Sequence, residues 1–93
     1  MDIKESKQLY KETLRKINDT LKLDSEDYIN VRNIINEFII KTEDSVKELD
    51  KEIMSIRCEP IHQTERRHFL LYQIQRMLNL DDAFTQMLDH SPN

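Results

Sequence analysis

Apolar residues recur at steps of three and four along most of this chain, in three stretches separated by two short interruptions. In the first stretch, residues 3–22, Ile3, Tyr10, Leu14, Ile17 and Leu21 fall in one stripe of a helix that repeats every 3.6 residues. Leu23-Asp24-Ser25-Glu26-Asp27 then reads as a stop and a restart. Asp24 or Ser25 can cap the next helix, and Glu26 and Asp27 suit the positive end of its dipole.

The second helix is predicted over about 25–57, roughly 50 Å at a rise of 1.5 Å per residue. Its stripe is Tyr28, Val31, Ile35, Phe38, Thr42, Val46, Leu49, Ile53 and Ile56, unbroken from end to end. Ile34 and Ile39 widen it on either side, as expected of a helix that touches two neighbours. Cys58-Glu59-Pro60 breaks the pattern, because proline lacks an amide donor and disfavours helix in the residue before it. Pro60 then serves as an early residue of a third helix reaching about Leu88, and the His90-Ser91-Pro92-Asn93 tail is expected to fray. The short joint makes helices two and three an antiparallel hairpin with helix one packed along it. The predicted fold is all-α: an antiparallel three-helix bundle with two long helices (about 25–57 and 61–88) and a shorter first helix (about 3–22). One domain spans 1–93.

Composition agrees with that picture. The chain has 93 residues, no Gly, two Pro and 34% charged residues, which reads as a helical bundle rather than a sheet protein. Without Gly there are no phosphate-cradling Gly-rich loops. A net charge of −4 argues against general affinity for nucleic acid. Cys58 has no second cysteine to pair with inside the chain, which fits a reducing compartment and an inert thiol. The start, MDIKESKQLYKE, is charged from its second residue and holds no run apolar enough for a signal peptide or membrane span. A cytoplasmic or nuclear protein is expected, with no membrane partner.

The faces away from the core stripes carry the functional signal. Ile29 and Ile40 lie roughly 140–160° from the centre of the second helix's stripe at 100° per residue. On the third helix Leu70, Leu71, Ile74, Met77, Leu78, Phe84 and Leu88 form the inward set. Phe69, Tyr72, Leu80 and Met87 point elsewhere. A helix apolar on two faces is either buried further, in the core or a homodimer, or meets a different partner. Near the hairpin tip, Asp50 should lie level with Arg67, and Glu43 near Gln75. A carboxylate and a guanidinium side by side on a rigid hairpin suit recognition of a charged protein surface, or form an ordinary surface ion pair.

The stretches VRNIINEFIIKTEDSVKELD and TERRHFLLYQIQRMLNLDDAF resemble the BAG domain, a helical module that binds heat-shock protein 70 chaperones. BAG domains end their second helix on a Leu-Asp like Leu49-Asp50. Their third helix carries an Arg, an apolar pair and then a hydrophobic-Gln pair, which here reads Arg67, Leu70-Leu71 and Ile74-Gln75. The resemblance covers about residues 28–88. It implies a co-chaperone whose second and third helices clamp the chaperone's nucleotide-binding domain in an open state, so that ADP leaves faster. Asp50, Arg67 and Gln75 would make the polar contacts. Where the family has a Glu ten residues before the Asp, this chain has Ile40, with Glu43 one turn later as a substitute. Where a basic residue commonly follows the Arg, this chain has His68.

Nothing in the sequence assembles catalytic chemistry, so a non-enzymatic binding module without cofactors is expected. His62, His68 and His90 are too scattered for a metal face, and Pro60 interrupts the helix that would align Cys58 with His62. Cys58 lacks the pocket and oxyanion donors that a nucleophile needs. Arg66, Arg67, His68 and Arg76 make a basic edge that reads as solvated or protein-facing rather than nucleic-acid-binding. A structural helical adaptor, self-associating through Phe69, Tyr72, Leu80 and Met87, is the competing expectation.

Overall fold

The computed structural model describes residues 1–55 and 60–89. They form α1 (Ile3–Leu23), α2 (Tyr28–Ser55) and α3 (Ile61–Asp89), packed as an antiparallel bundle 57 Å long and 22 by 14 Å across. This is the all-α three-helix bundle expected from the periodicity. The predicted end of α2 at Ile56 and Arg57, the Cys58-Glu59 part of the joint and the tail from His90 lie outside the described residues.

Local chemistry sets the helix starts. Asp2 caps α1: its carboxylate accepts a 2.7 Å hydrogen bond from the Glu5 amide, satisfying one of the free donors of the first turn. That backbone hydrogen bond holds the Asp2 carboxyl below its ordinary value of 3.8. The folded value is depressed, so the cap's contribution is complete above the unfolded value and is lost as pH falls through the folded one. Acidification below about pH 4 is therefore expected to fray the first turn of α1. The Glu5 amide should shift further in an NMR titration of the native protein than in Asp2→Ala, where only its own carboxyl titrates.

The restart of the chain departs from the predicted caps. Asp24 accepts from the Glu26 amide at 3.0 Å, and its carbonyl accepts from the Asp27 amide at 3.2 Å, so Asp24 ends α1 and closes a turn instead of capping the next helix. Asp27 is the cap, accepting from the Asn30 amide at 3.4 Å and from the Asn30 side-chain nitrogen at 2.6 Å. The helix accordingly begins at Tyr28, three residues later than the predicted start at residue 25. The Pro60 carbonyl accepts from the Thr64 amide at 2.9 Å and opens α3 as expected.

The α2 stripe forms the centre of the core. Val31, Ile35, Phe38, Thr42, Val46 and Leu49 are buried, and Tyr28 and Ile53 are half-buried at its described ends. Ile39 is also buried and Ile34 packs against the core, so α2 does touch two neighbours. Tyr10 of α1 meets Phe38 edge-on at 5.8 Å between ring centroids, and Tyr28 meets Phe84 at 5.6 Å. On α3, Leu70, Ile74, Met77 and Phe84 are buried as predicted. Leu71 and Leu78, also assigned inward, are 38% and 39% exposed. The reason is the seam 70–73–77–80–84, whose alternating steps of three and four place Gln73, 2% exposed, where a leucine would be expected.

Candidate partner-binding face

Two ion pairs tie α2 to α3 along the side that α1 leaves uncovered. Arg67 Nε donates to Asp50 Oδ1 at 2.5 Å, with the two side chains 37% and 46% exposed. Arg32 Nε donates to Asp81 Oδ1 at 3.2 Å toward the far end. The expected levelling of Asp50 with Arg67 is thus observed, and these are the only ion pairs among the described residues. Between them, Ile40 (51% exposed), Leu71 and Leu78 make an apolar waist. A shallow groove of about 440 Å³ continues it past Asn33 and Asn36 to the exposed Ile29.

Interpolating between the two ion pairs puts Gln75 level with Ile40 and Glu43 about 4 Å, less than one helical turn, further toward the hairpin tip at 1.5 Å per residue. Gln75 is exposed and its Nε2 donates to Asn79 Oδ1 at 2.9 Å, which aligns its amide along the face. Glu43 is exposed and has no ion-pair partner among the described residues. His68 is exposed as well and, seven residues before Gln75, lies on the same side of α3 as that amide.

α1 occupies the other side of the hairpin, and this changes the reading of the second apolar face of α3. Lys7 of α1 sits 5.8 Å from the Phe69 ring centre, and Leu80 packs against the core. The Arg76 guanidinium lies over Tyr10 at 4.4 Å and over Tyr72 at 5.6 Å. Phe69 and Leu80 are therefore largely accounted for by packing inside the bundle. Tyr72, 58% exposed, and Met87, 49% exposed, remain open.

The sequence pattern did not single out Arg32, Asp81, Asn33 or Asn36. The signal available was the row Ile29–Asn33–Asn36–Ile40–Glu43–Asp50, whose steps of four, three or seven keep it on one side of α2. Among the described residues no three of His, Cys, Asp or Glu are grouped to hold a metal ion, and no helix is long and apolar enough to cross a membrane. Comparison of the chain with protein-family models, with curated proteins and with solved structures finds no match.

Proposed function

We propose that this protein is a non-catalytic co-chaperone that uses the α2/α3 face to bind the nucleotide-binding domain of a heat-shock protein 70 and to promote ADP release. The observation that carries the reading is the partly exposed Asp50–Arg67 pair on a face that α1 leaves free, with Ile40 and Gln75 further along it. An exposed ion pair of this kind stabilises the bundle by only about 0–1 kcal/mol. It holds both side chains toward a partner and opens at little cost when the partner offers better-placed charges. The apolar waist supplies area that desolvates on contact, and the two ion pairs rim it, as in protein interfaces with an apolar centre and a polar edge.

Exchange then follows from differential affinity. A rigid two-helix surface that fits the open chaperone cleft better than the closed one shifts the population toward open, and ADP escapes. By the same linkage, added ADP must weaken the complex. Release of a fluorescent ADP analogue from a purified heat-shock protein 70 nucleotide-binding domain tests this directly. Acceleration by the native protein, lost in Arg67→Ala, is the expected result. No binding at all would remove the reading. Saturable binding without acceleration would leave a docking module that does not open the cleft.

Ile40→Glu separates two ways of using the face. Restoring the carboxylate that BAG domains carry there is expected to weaken binding by about tenfold, because Ile40 serves this interface as apolar area. Tighter binding in a titration would show instead that the partner presents a cation at that position.

A further inference from the structure

The outer surface of α1 carries a second pattern that the α2/α3 face does not use. Lys4, Lys7, Lys11, Arg15 and Lys22 are exposed and, with Asn18 between the last two, follow steps of three and four. They fall within about 80° of arc along roughly 27 Å of helix. The acidic residues Glu5, Glu12 and Asp19 are seven apart and, with the exposed Lys16 among them, occupy a separate strip of net negative charge on the α2 side. The basic row runs along the edge facing α3, since Lys7 reaches Phe69 and the Tyr10 ring meets Arg76. None of these cations has a carboxylate within 4 Å among the described residues, although the chain carries a net charge of −4.

We infer that the α1/α3 face is a second interaction surface whose occupant is an acidic amphipathic helix of another protein. Three features select that occupant. The row is linear and one helix-face wide, and from Lys4 to Arg15 its charges are roughly 4.5–6 Å apart along the axis, the spacing of carboxylates at successive three- and four-residue steps on a facing helix. Beside it, on the side of α3 next to α1, the exposed Tyr72 and the half-buried edge of Phe69 add an apolar component, which an amphipathic helix can cover. The strip of Glu5, Glu12 and Asp19 lies about one helix diameter away, near the Debye length at physiological salt, so it repels a wide polyanion such as a lipid surface or duplex while sparing a narrow ligand. A fourth helix laid here would complete a four-helix arrangement. It leaves the face formed by Asp50, Arg67 and Ile40 open, so this inference stands whether or not the chaperone reading does.

The test is fluorescence-anisotropy titration of the full chain with a labelled synthetic helix of Ala, Leu and Glu whose glutamates share one face. A peptide of the same composition with its glutamates spread around the helix, a single-stranded oligonucleotide and phosphatidylserine vesicles are titrated in parallel. The one-faced peptide should bind at least about tenfold more tightly than the other three, and more weakly as salt is raised. Its amide shift changes should map to α1 and the Phe69–Arg76 turns of α3. Lys7→Glu/Lys11→Glu/Arg15→Glu should lose about tenfold or more in affinity with helicity by circular dichroism unchanged. The glutamine version of the same triple variant should lose less, and it serves if the glutamate version does not fold. Equal binding of the two peptides, preference for the oligonucleotide or vesicles, shifts confined to the α2/α3 face, or no binding would each overturn the inference.

Discussion

Leu70→Ala is expected to lower the unfolding free energy by about 2–5 kcal/mol, whereas Leu71→Ala should change it by about 1 kcal/mol or less. The residues are adjacent and chemically identical, so only their direction around α3 separates them. Leu70 is wholly buried and meets α2 in the core, while Leu71 is 38% exposed on the uncovered side of the hairpin. Truncating Leu70 removes buried methyl groups and leaves a cavity that the surrounding core side chains fill poorly. A domain of this length has roughly 5–14 kcal/mol of stability in all, so the variant should melt more than about 10 °C below the native protein. Leu49→Ala and Ile74→Ala belong with Leu70, being 3% and 6% exposed. Urea unfolding of the variants measures the ordering. If Leu71→Ala proved the costlier of the pair, α3 would be rotated by one residue and the face assigned to Ile40 and Gln75 would be wrong with it.

That one-residue question marks where sequence reasoning reached its limit. The α2 stripe is legible because α2 lies between two neighbours and every core position on it is apolar or threonine. Its course through Val31, Ile35, Phe38, Thr42, Val46 and Leu49 is the observed core. α3 is less legible. Its hydrophobic residues serve three purposes: Leu70 and Met77 face α2, Phe69 and Leu80 face α1, and Leu71 and Leu78 line the open face. Summed together they point nearly everywhere, so apolarity alone no longer selects a side. α1 misleads differently, because two of its three buried residues are Ser6 and Thr13. Thr13 hides its hydroxyl by donating to the Leu9 carbonyl at 2.8 Å, which a scan for apolar side chains does not anticipate. At the candidate face, Asp50 and Arg67 were readable because both sit a fixed number of turns from the Pro60 joint. The Arg32–Asp81 pair lies farther from that joint, where a small error in register hides it.

Gln73→Met is expected to raise stability by about 1–3 kcal/mol, the opposite sign to the leucine truncations. Gln73 is 2% exposed and its Oε1 accepts no hydrogen bond, and the hydroxyls of Ser6 and Thr42 are buried in the same condition. The three belong to one level of the bundle. Tyr10 against Phe38 puts Ser6, four residues back, level with Thr42, four residues on; interpolation between the Arg32–Asp81 and Asp50–Arg67 pairs puts Thr42 level with Gln73. Each helix thus contributes one polar side chain to a single layer of the core. A buried acceptor without a donor retains its desolvation cost, and methionine fills nearly the same volume with no such group. Thr42→Val and Ser6→Ala should add smaller gains in the same direction, and the combined variant should be the most stable of the series in urea. A polar layer of this kind sets register in helical assemblies, since slipping α1 by a turn would place Ser6 against apolar neighbours. The combined variant is therefore expected to gain stability and lose uniqueness, showing doubled amide resonances along α1 where the native protein shows one set. Destabilisation by Gln73→Met would mean that the amide is hydrogen-bonded in the folded protein. A single set of sharp resonances in the combined variant would mean that packing of Tyr10 and Ile17 fixes α1 without the polar layer.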